Sequence, residues 1–225
     1  MLPTSPRARE RRAFRTDCRV DSPAVPTRVL ILASGAGSTM QALLDAGQEP
    51  GFPATVVAVG SDRPNAGALV RAAHAGVPVF VCPLEQFPDR NAWDRALTEA
   101  VGGFAPDLVV SAGFLKLVGA AFLGEFAGRY VNSHPSLSPA FPGLHAPRDA
   151  LRWGVKVTGC TLFAVDAGVD TGPIIDQRVV PVLPDDDESS LHDRIKVAER
   201  EMLVDNIAAM ARHGWTIVGR KVLIP

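Results

Sequence analysis

The sequence predicts a single-domain, doubly wound α/β fold of Rossmann-like type: a mostly parallel sheet with helices on both faces and an antiparallel edge hairpin. Three observations predict it. Five short apolar runs alternate with helix-spaced segments between residues 28 and 131, the signature of βα units. The first run is followed at once by a glycine turn, Ser34-Gly35-Ala36-Gly37-Ser38. And 225 residues suffice for one well-buried core but are short for two. Composition agrees, with 47% hydrophobic and 21% charged residues. A formal net charge of −1 gives no electrostatic footprint for nucleic acid or a membrane surface.

Residues 1–26 differ from the rest. They hold six arginines by residue 25, with Pro3, Pro6 and Pro23 and no apolar periodicity, which predicts a flexible basic tail ahead of a catalytic domain at 27–225. Arg11-Arg12-Ala13-Phe14 resembles the opening of a twin-arginine export signal, but no apolar stretch follows it. No later run approaches the roughly 18 apolar residues that span a bilayer. Cys18, Cys82 and Cys160 have neither disulfide-framework nor zinc-like spacing, so a reducing cytoplasmic location is expected.

Arg28 to Ala33 reads as a buried strand, and TMQALLDAGQ after the glycine turn as a helix with Ser38 as N-cap. Amides at such a helix start suit a phosphate; equally, the glycines need only permit a tight turn. A dinucleotide fingerprint would need glycine where Met40 stands, and its acidic partner is at best Asp62. Ala54 to Val59 and Val77 to Val81 are the next strands, separated by a helix from Asn65 to Ala75. Another helix starts near Asp89, where Arg90 reads as a solvated charge. Asp107 to Ala112 is the fourth strand. Gly113-Phe114-Leu115-Lys116-Leu117 after it could pack on an aromatic ligand or simply open a core helix that ends by Ala127.

Tyr130-Val131 reads as the fifth strand, and past its end a Pro- and Gly-rich loop delivers Asn132, Ser133 and His134. In open α/β sheets that position meets the ligand. An Asn amide can hold an oxyanion, and a His two residues on along an extended chain can move a proton on the same side. After a helix through APRDALRWG, Val155 to Val165 and Ile174 to Val182 form the antiparallel hairpin, whose long turn carries Asp170, 36 residues (170 − 134) beyond His134. A carboxylate reaching His134 would fix its tautomer and raise its pKa. Such a trio suits attack of an amine or water on a carbonyl carbon. No G-x-S-x-G elbow supports covalent catalysis, and the histidines lack metal-ligand spacing. A helix follows the acidic run at 185–188 and reaches about His213, and GWTIVGRKVLIP could add one short strand.

Taken together, Ala33-Ser34-Gly35-x-Gly37-Ser38, Ala112-Gly113-Phe114-Leu115, Asn132-Ser133-His134-Pro135-Ser136-Leu137 with Pro142-Gly143-Leu144-His145, and Val169-Asp170-Thr171-Gly172-Pro173 resemble the motifs of the folate-dependent formyltransferases, in order and with similar spacing over roughly 28–213. The branch most similar uses glycinamide ribonucleotide. The resemblance implies transfer of a formyl group from 10-formyltetrahydrofolate, a co-substrate, to that ribonucleotide's primary amine, without a metal, by a monomer or homodimer. It implies that His134 is the proton donor, that Asp170 raises its pKa, and that Asn132 stabilises the oxyanion. Gly37, Ser38 and Thr39 would bind the ribonucleotide phosphate, and Lys196 and Glu199 the rest of that substrate. Arg90, Leu115, Lys116, Leu117 and Val118, with Asn132 and Asp166, Ala167, Gly168, Val169 and Asp170, would form the folate pocket, which displaces the solvated reading of Arg90. Three positions depart from the family pattern: Thr39 for Asn, Lys116 for Arg, and Phe163 for a frequent His. Methionyl-tRNA formyltransferases and formyltetrahydrofolate hydrolases share the core but normally carry a further domain, for which neither end of this chain leaves room.

Overall fold

Leu30, Ile31 and Leu32 are wholly without solvent exposure, so the run Thr27–Leu32 becomes an interior strand rather than a helix or an edge. The structure is a computed structural model and describes residues 18–20 and 26–225. In chain order the strands are β1 (Cys18–Val20), β2 (Thr27–Leu32), β3 (Ala54–Ser61), β4 (Val79–Val81), β5 (Leu108–Ser111), β6 (Tyr130–His134), β7 (Val157–Ala164), β8 (Ile174–Pro181), β9 (Trp215–Val218) and β10 (Lys221–Leu223). The helices are α1 (Ser38–Ala46), α2 (Gly67–His74), α3 (Arg90–Gly102), α4 (Ala120–Glu125), α5 (Ala146–Trp153) and α6 (Glu188–His213). One sheet holds all the strands in the order β1-β9-β10-β8-β7-β6-β5-β2-β3-β4.

The block from β6 to β4 is parallel throughout, and β7 then pairs antiparallel with both β6 and β8. Alternation along β2 explains the two layers. Val29 and Ile31 join α1, α2 and α6 in one core, through Met40, Leu43, Leu69, Ile195 and Met202. Leu30 and Leu32 face the other core, built from Trp93, Leu97 and Val101 of α3 and Phe122 of α4. The doubly wound, mostly parallel sheet with its antiparallel pair is the predicted architecture.

Several details differ from the sequence reading. Asn132, Ser133 and His134 belong to β6 itself, paired with Phe163, Leu162 and Thr161 of β7, instead of lying in a loop beyond it. The N-cap of α1 is Gly37 in the left-handed region (φ 74), with Ser38 the first helical residue. A side chain at 37 would put its Cβ 2.8 Å from Ala68 Cα, so only glycine admits the close approach of α2. The segment after His213 makes a hairpin, β9 and β10, where one strand was expected, and continues the sheet beyond β8. The predicted tail falls outside the described residues except at Pro26 and at Cys18–Val20, whose backbone pairs with β9.

Candidate active site

The carboxyl ends of β5 and β6, the turn between β7 and β8 and the first three turns of α6 enclose a cavity of about 880 Å³. Because side chains alternate along β6, Asn132 and His134 face the same side of the sheet. His134 is buried, and both ring nitrogens meet acceptors: Nε2 lies 2.9 Å from the Phe141 carbonyl oxygen and Nδ1 3.5 Å from Asp170 Oδ2. Two acceptors suit a ring that carries a proton on each nitrogen. The surrounding chain thus fixes the orientation of the ring.

Asp170 reaches the ring from the β7–β8 turn with its backbone in the left-handed region (φ 54), unusual for a residue with a side chain. The turn enforces it. A Cβ at Gly172 would fall 1.8 Å from the Ala164 carbonyl oxygen, so the chain must pass flush against β7 there. Gly143 N–H donates to Asp170 Oδ2 at 2.8 Å, and Asp166 accepts from Gly168 N–H and from the Thr171 hydroxyl. The Gly143 bond ties the Pro135–Leu144 loop to the carboxylate beside His134, and the Asp166 bonds hold the β7–β8 turn that carries it.

Behind Asn132 and His134, Ser133 faces the opposite way, toward α6. Its hydroxyl donates to Glu199 Oε1, while Thr39 Oγ1 donates to Glu199 Oε2 at 3.2 Å. Glu199 is thus a buried carboxylate joining β6, α6 and the start of α1. Lys196, one turn earlier, lines the cavity and donates to Asp193 at 2.8 Å. The amides at the start of α1 stand beside this cluster. Thr39, in place of the usual Asn, spends its hydroxyl on Glu199.

Across the cavity, the chain from Gly113 to Val118 is irregular, with α4 starting only at Ala120, and four groups strap it down. Ser34 Oγ accepts from Leu115 N–H at 2.9 Å, and the Gly113 carbonyl oxygen accepts from Ser34 N–H. Arg90 donates to the Leu117 carbonyl oxygen while its guanidinium sits 5.6 Å over the Trp93 ring. It is therefore no free surface charge. Buried Asp94 accepts from the backbone N–H groups of Gly119, Ala121 and Phe122, which caps α4. Lys116 Nζ lies 3.7 Å from Asp62 Oδ2. Phe114 is buried, whereas Leu115 and Leu117 leave an apolar rim exposed. Phe163 is buried opposite Asn132 and closes the floor as an apolar wall.

The structure therefore brings Asn132, His134, Asp170, Thr39, Lys196, Glu199, Arg90, residues 115–118 and residues 166–170 to one cavity. Gly37 and Ser38 stand next to it at the start of α1. The sequence reading passed over Phe141, Asp94 and His192, and gave Ser133 and Asp62 no role in this site. For His192 a signal existed: it stands four residues before Lys196 and seven before Glu199, on one helical face. Burial pushes the His192 ring below its ordinary pKa, helped by the Lys196 charge. The Cys160 thiol is pushed up to about 12 by burial and by Glu199, so it is no nucleophile. Among the described residues no group of three or more His, Cys, Asp or Glu could hold a metal.

Comparison with known proteins follows the same lines. Residues 27–207 match the model of the formyl transferase family. The chain is similar to the phosphoribosylglycinamide formyltransferase of Mycobacterium tuberculosis, 56% identical over 198 residues, covering 88% of this chain and 91% of that one. The Escherichia coli phosphoribosylglycinamide formyltransferase is 39% identical over 171 residues, covering 76% of this chain and 81% of its own. Among solved structures, glycinamide ribonucleotide transformylase 1 of Symbiobacterium toebii superposes with a TM-score of 0.87 at 44% identity, covering 90% of this chain and 95% of its own. This chain belongs to the formyl transferase family and is an enzyme of that kind.

Proposed function

We propose that the enzyme transfers a formyl group from 10-formyltetrahydrofolate to the primary amine of glycinamide ribonucleotide, a cytoplasmic step of purine synthesis, by direct attack. The observation that carries this reading is the cavity itself, which joins an anion-suited helix start to an apolar cleft with Asn132 and His134 between them. The ribonucleotide phosphate sits on the amides of Gly37, Ser38 and Thr39. Lys196 and the remaining lone pairs of Glu199 hold the ribose and its substituents. The folate ring lies against residues 115–118 and the 166–170 turn, with Arg90 and Lys116 supplying positive charge on that wall.

The amine nitrogen then forms a bond to the formyl carbon, and the formyl oxygen becomes an oxyanion shared by the Asn132 amide and the protonated His134 ring, whose Nε2–H exchanges the Phe141 carbonyl oxygen for the substrate while Nδ1–H stays toward Asp170. His134 gives its proton to N10 of the folate as the C–N10 bond breaks. The attacking nitrogen sheds a proton that restores the ring. Asp170 holds the ring in place and balances its charge throughout. No covalent enzyme intermediate is needed.

The test is folate deformylation by the purified protein with glycinamide ribonucleotide, with charged initiator tRNA, or with water alone. Turnover that depends on the ribonucleotide is expected. Equal turnover in water would make the enzyme a hydrolase and remove the role assigned to the α1 amides.

A further inference from the structure

More polar chemistry enters the cavity from α6 than formyl transfer as described uses. Since β7 is antiparallel to both β6 and β8, β8 runs in the direction of β2, and α6 starts, as α1 does, beyond the carboxyl edge of the sheet. The two helices pack together, with Thr39 of the first turn of α1 bonded to Glu199, eleven residues into α6 (199 − 188). At 1.5 Å per residue, roughly 16 Å of α6 therefore overhangs the start of α1. His192, Lys196 and Glu199 face the cavity from that overhang. Along the helix axis His192 lies about 6 Å beyond Lys196 and about 10 Å beyond Glu199. An anion seated on the first amides of α1 lies alongside this strip. His192 is half-buried and makes no hydrogen bond to protein among the described residues.

We propose that His192 is a further binding residue of the acceptor site, closing on the ribonucleotide phosphate from α6 and taking up a proton as it does so. The inference rests on the acceptor assignment above. Within the cavity burial and the Lys196 ammonium disfavour the charged ring, against the weaker opposite pull of Glu199, Asp193 and Glu188 on the same helix. The facing residue of α1, Thr39, is uncharged. The other cavity walls present Arg90, Lys116, His134, Asp166 and Asp170. A phosphate dianion arriving beside the ring adds two negative charges and offers an acceptor, which reverses that balance. Phosphate binding and protonation of His192 are therefore linked.

The experiment is titration calorimetry of glycinamide ribonucleotide into the full chain at pH 7.5, in buffers of different ionisation enthalpy, and of the same compound without its phosphate. The wild-type chain is expected to take up a substantial fraction of a proton with the phosphorylated ligand and none with the other. In His192→Asn and His192→Gln, uptake is expected to vanish and the phosphorylated ligand to bind about 10-fold more weakly, the loss of one charge-assisted hydrogen bond. Affinity for the phosphate-free ligand should not change. Binding with wild-type affinity and uptake in both variants would overturn the inference alone. Failure of the wild-type chain to bind the ribonucleotide would overturn the acceptor assignment, and the inference with it.

Discussion

Two buried aspartates show how much a single residue's partners matter. Asp94 and Asp62 are each 3% exposed. Asp94 accepts three backbone N–H groups, while among the described residues neither oxygen of Asp62 has a hydrogen bond and its charged companions are Lys116 and Arg63, each at 3.7 Å. Removing a charged acceptor that several donors share costs about 3 kcal/mol, whereas an unbonded buried carboxylate contributes little or opposes folding. Asp94→Asn should therefore lose about 3 kcal/mol in denaturant melts, and Asp62→Asn should stay within about 1 kcal/mol of wild type or exceed it. Similar losses in both would show that hydrogen bonding is not what separates them. At the reacting centre, Asn132→Ala should lower turnover by about 100- to 1000-fold, as loss of one oxyanion donor does, with folding unchanged by circular dichroism. At this scale the sequence marked Asn132 and His134 as polar residues past a strand end and Asp170 as a carboxylate in the hairpin turn; that all three line one cavity depends on the fold. Asp62 was not so marked: as a residue it resembled only a misplaced dinucleotide acid, and its burial under Lys116 depends on the fold.

The elements place these residues, and α6 is the one that α1, β6 and the cavity all touch. Its start is fixed by a capping box between Asp187 and Ser190, and by Arg194 bonded to Asp186. The Arg194 bond holds the Asp186 carboxyl down at about 2, and the Ser190 N–H lowers that of Asp187. Carboxyls depressed on folding stabilise above their unfolded pKa, near 4, and lose that contribution as pH falls toward 2. The first turn of α6 should therefore fray between about pH 4 and pH 2, seen as growing amide exchange at Ser189–Leu191. If exchange there tracks the rest of α6 through that window, the cap does not govern the helix start. Helix starts and apolar strands were readable from sequence because capping and periodicity are local. β6 was read too short, since its second half is polar, faces the cavity and β7, and gains its pairing from Phe163, Leu162 and Thr161. The chain at 113–118 was ambiguous because the straps from Ser34, Arg90 and Asp94 come from 25 to 81 residues away.

Across the whole molecule, the alternation of Val29 and Ile31 against Leu30 and Leu32 ties two cores to one sheet, which is why the fold class was legible from periodicity. What lies beyond β8 was less so, because β9 and β10 are four and three residues long. The slowest amide exchange should fall at Leu30–Leu32 and Val109–Ser111, strands buried on both faces and paired on both edges, with β9 and β10 faster. Equal protection in β10 would mean that the far edge is part of the same cooperative core. The same sheet holds Asn132, His134 and Asp170 against one cavity, where His134 is the proposed proton donor. The most direct test of that role is the turnover number of His134→Ala at saturating 10-formyltetrahydrofolate and glycinamide ribonucleotide, with ribonucleotide affinity measured alongside. If His134 donates the proton, turnover falls about 1000-fold or more while affinity stays within about threefold of wild type. Turnover within tenfold of wild type, at intact affinity, would contradict it.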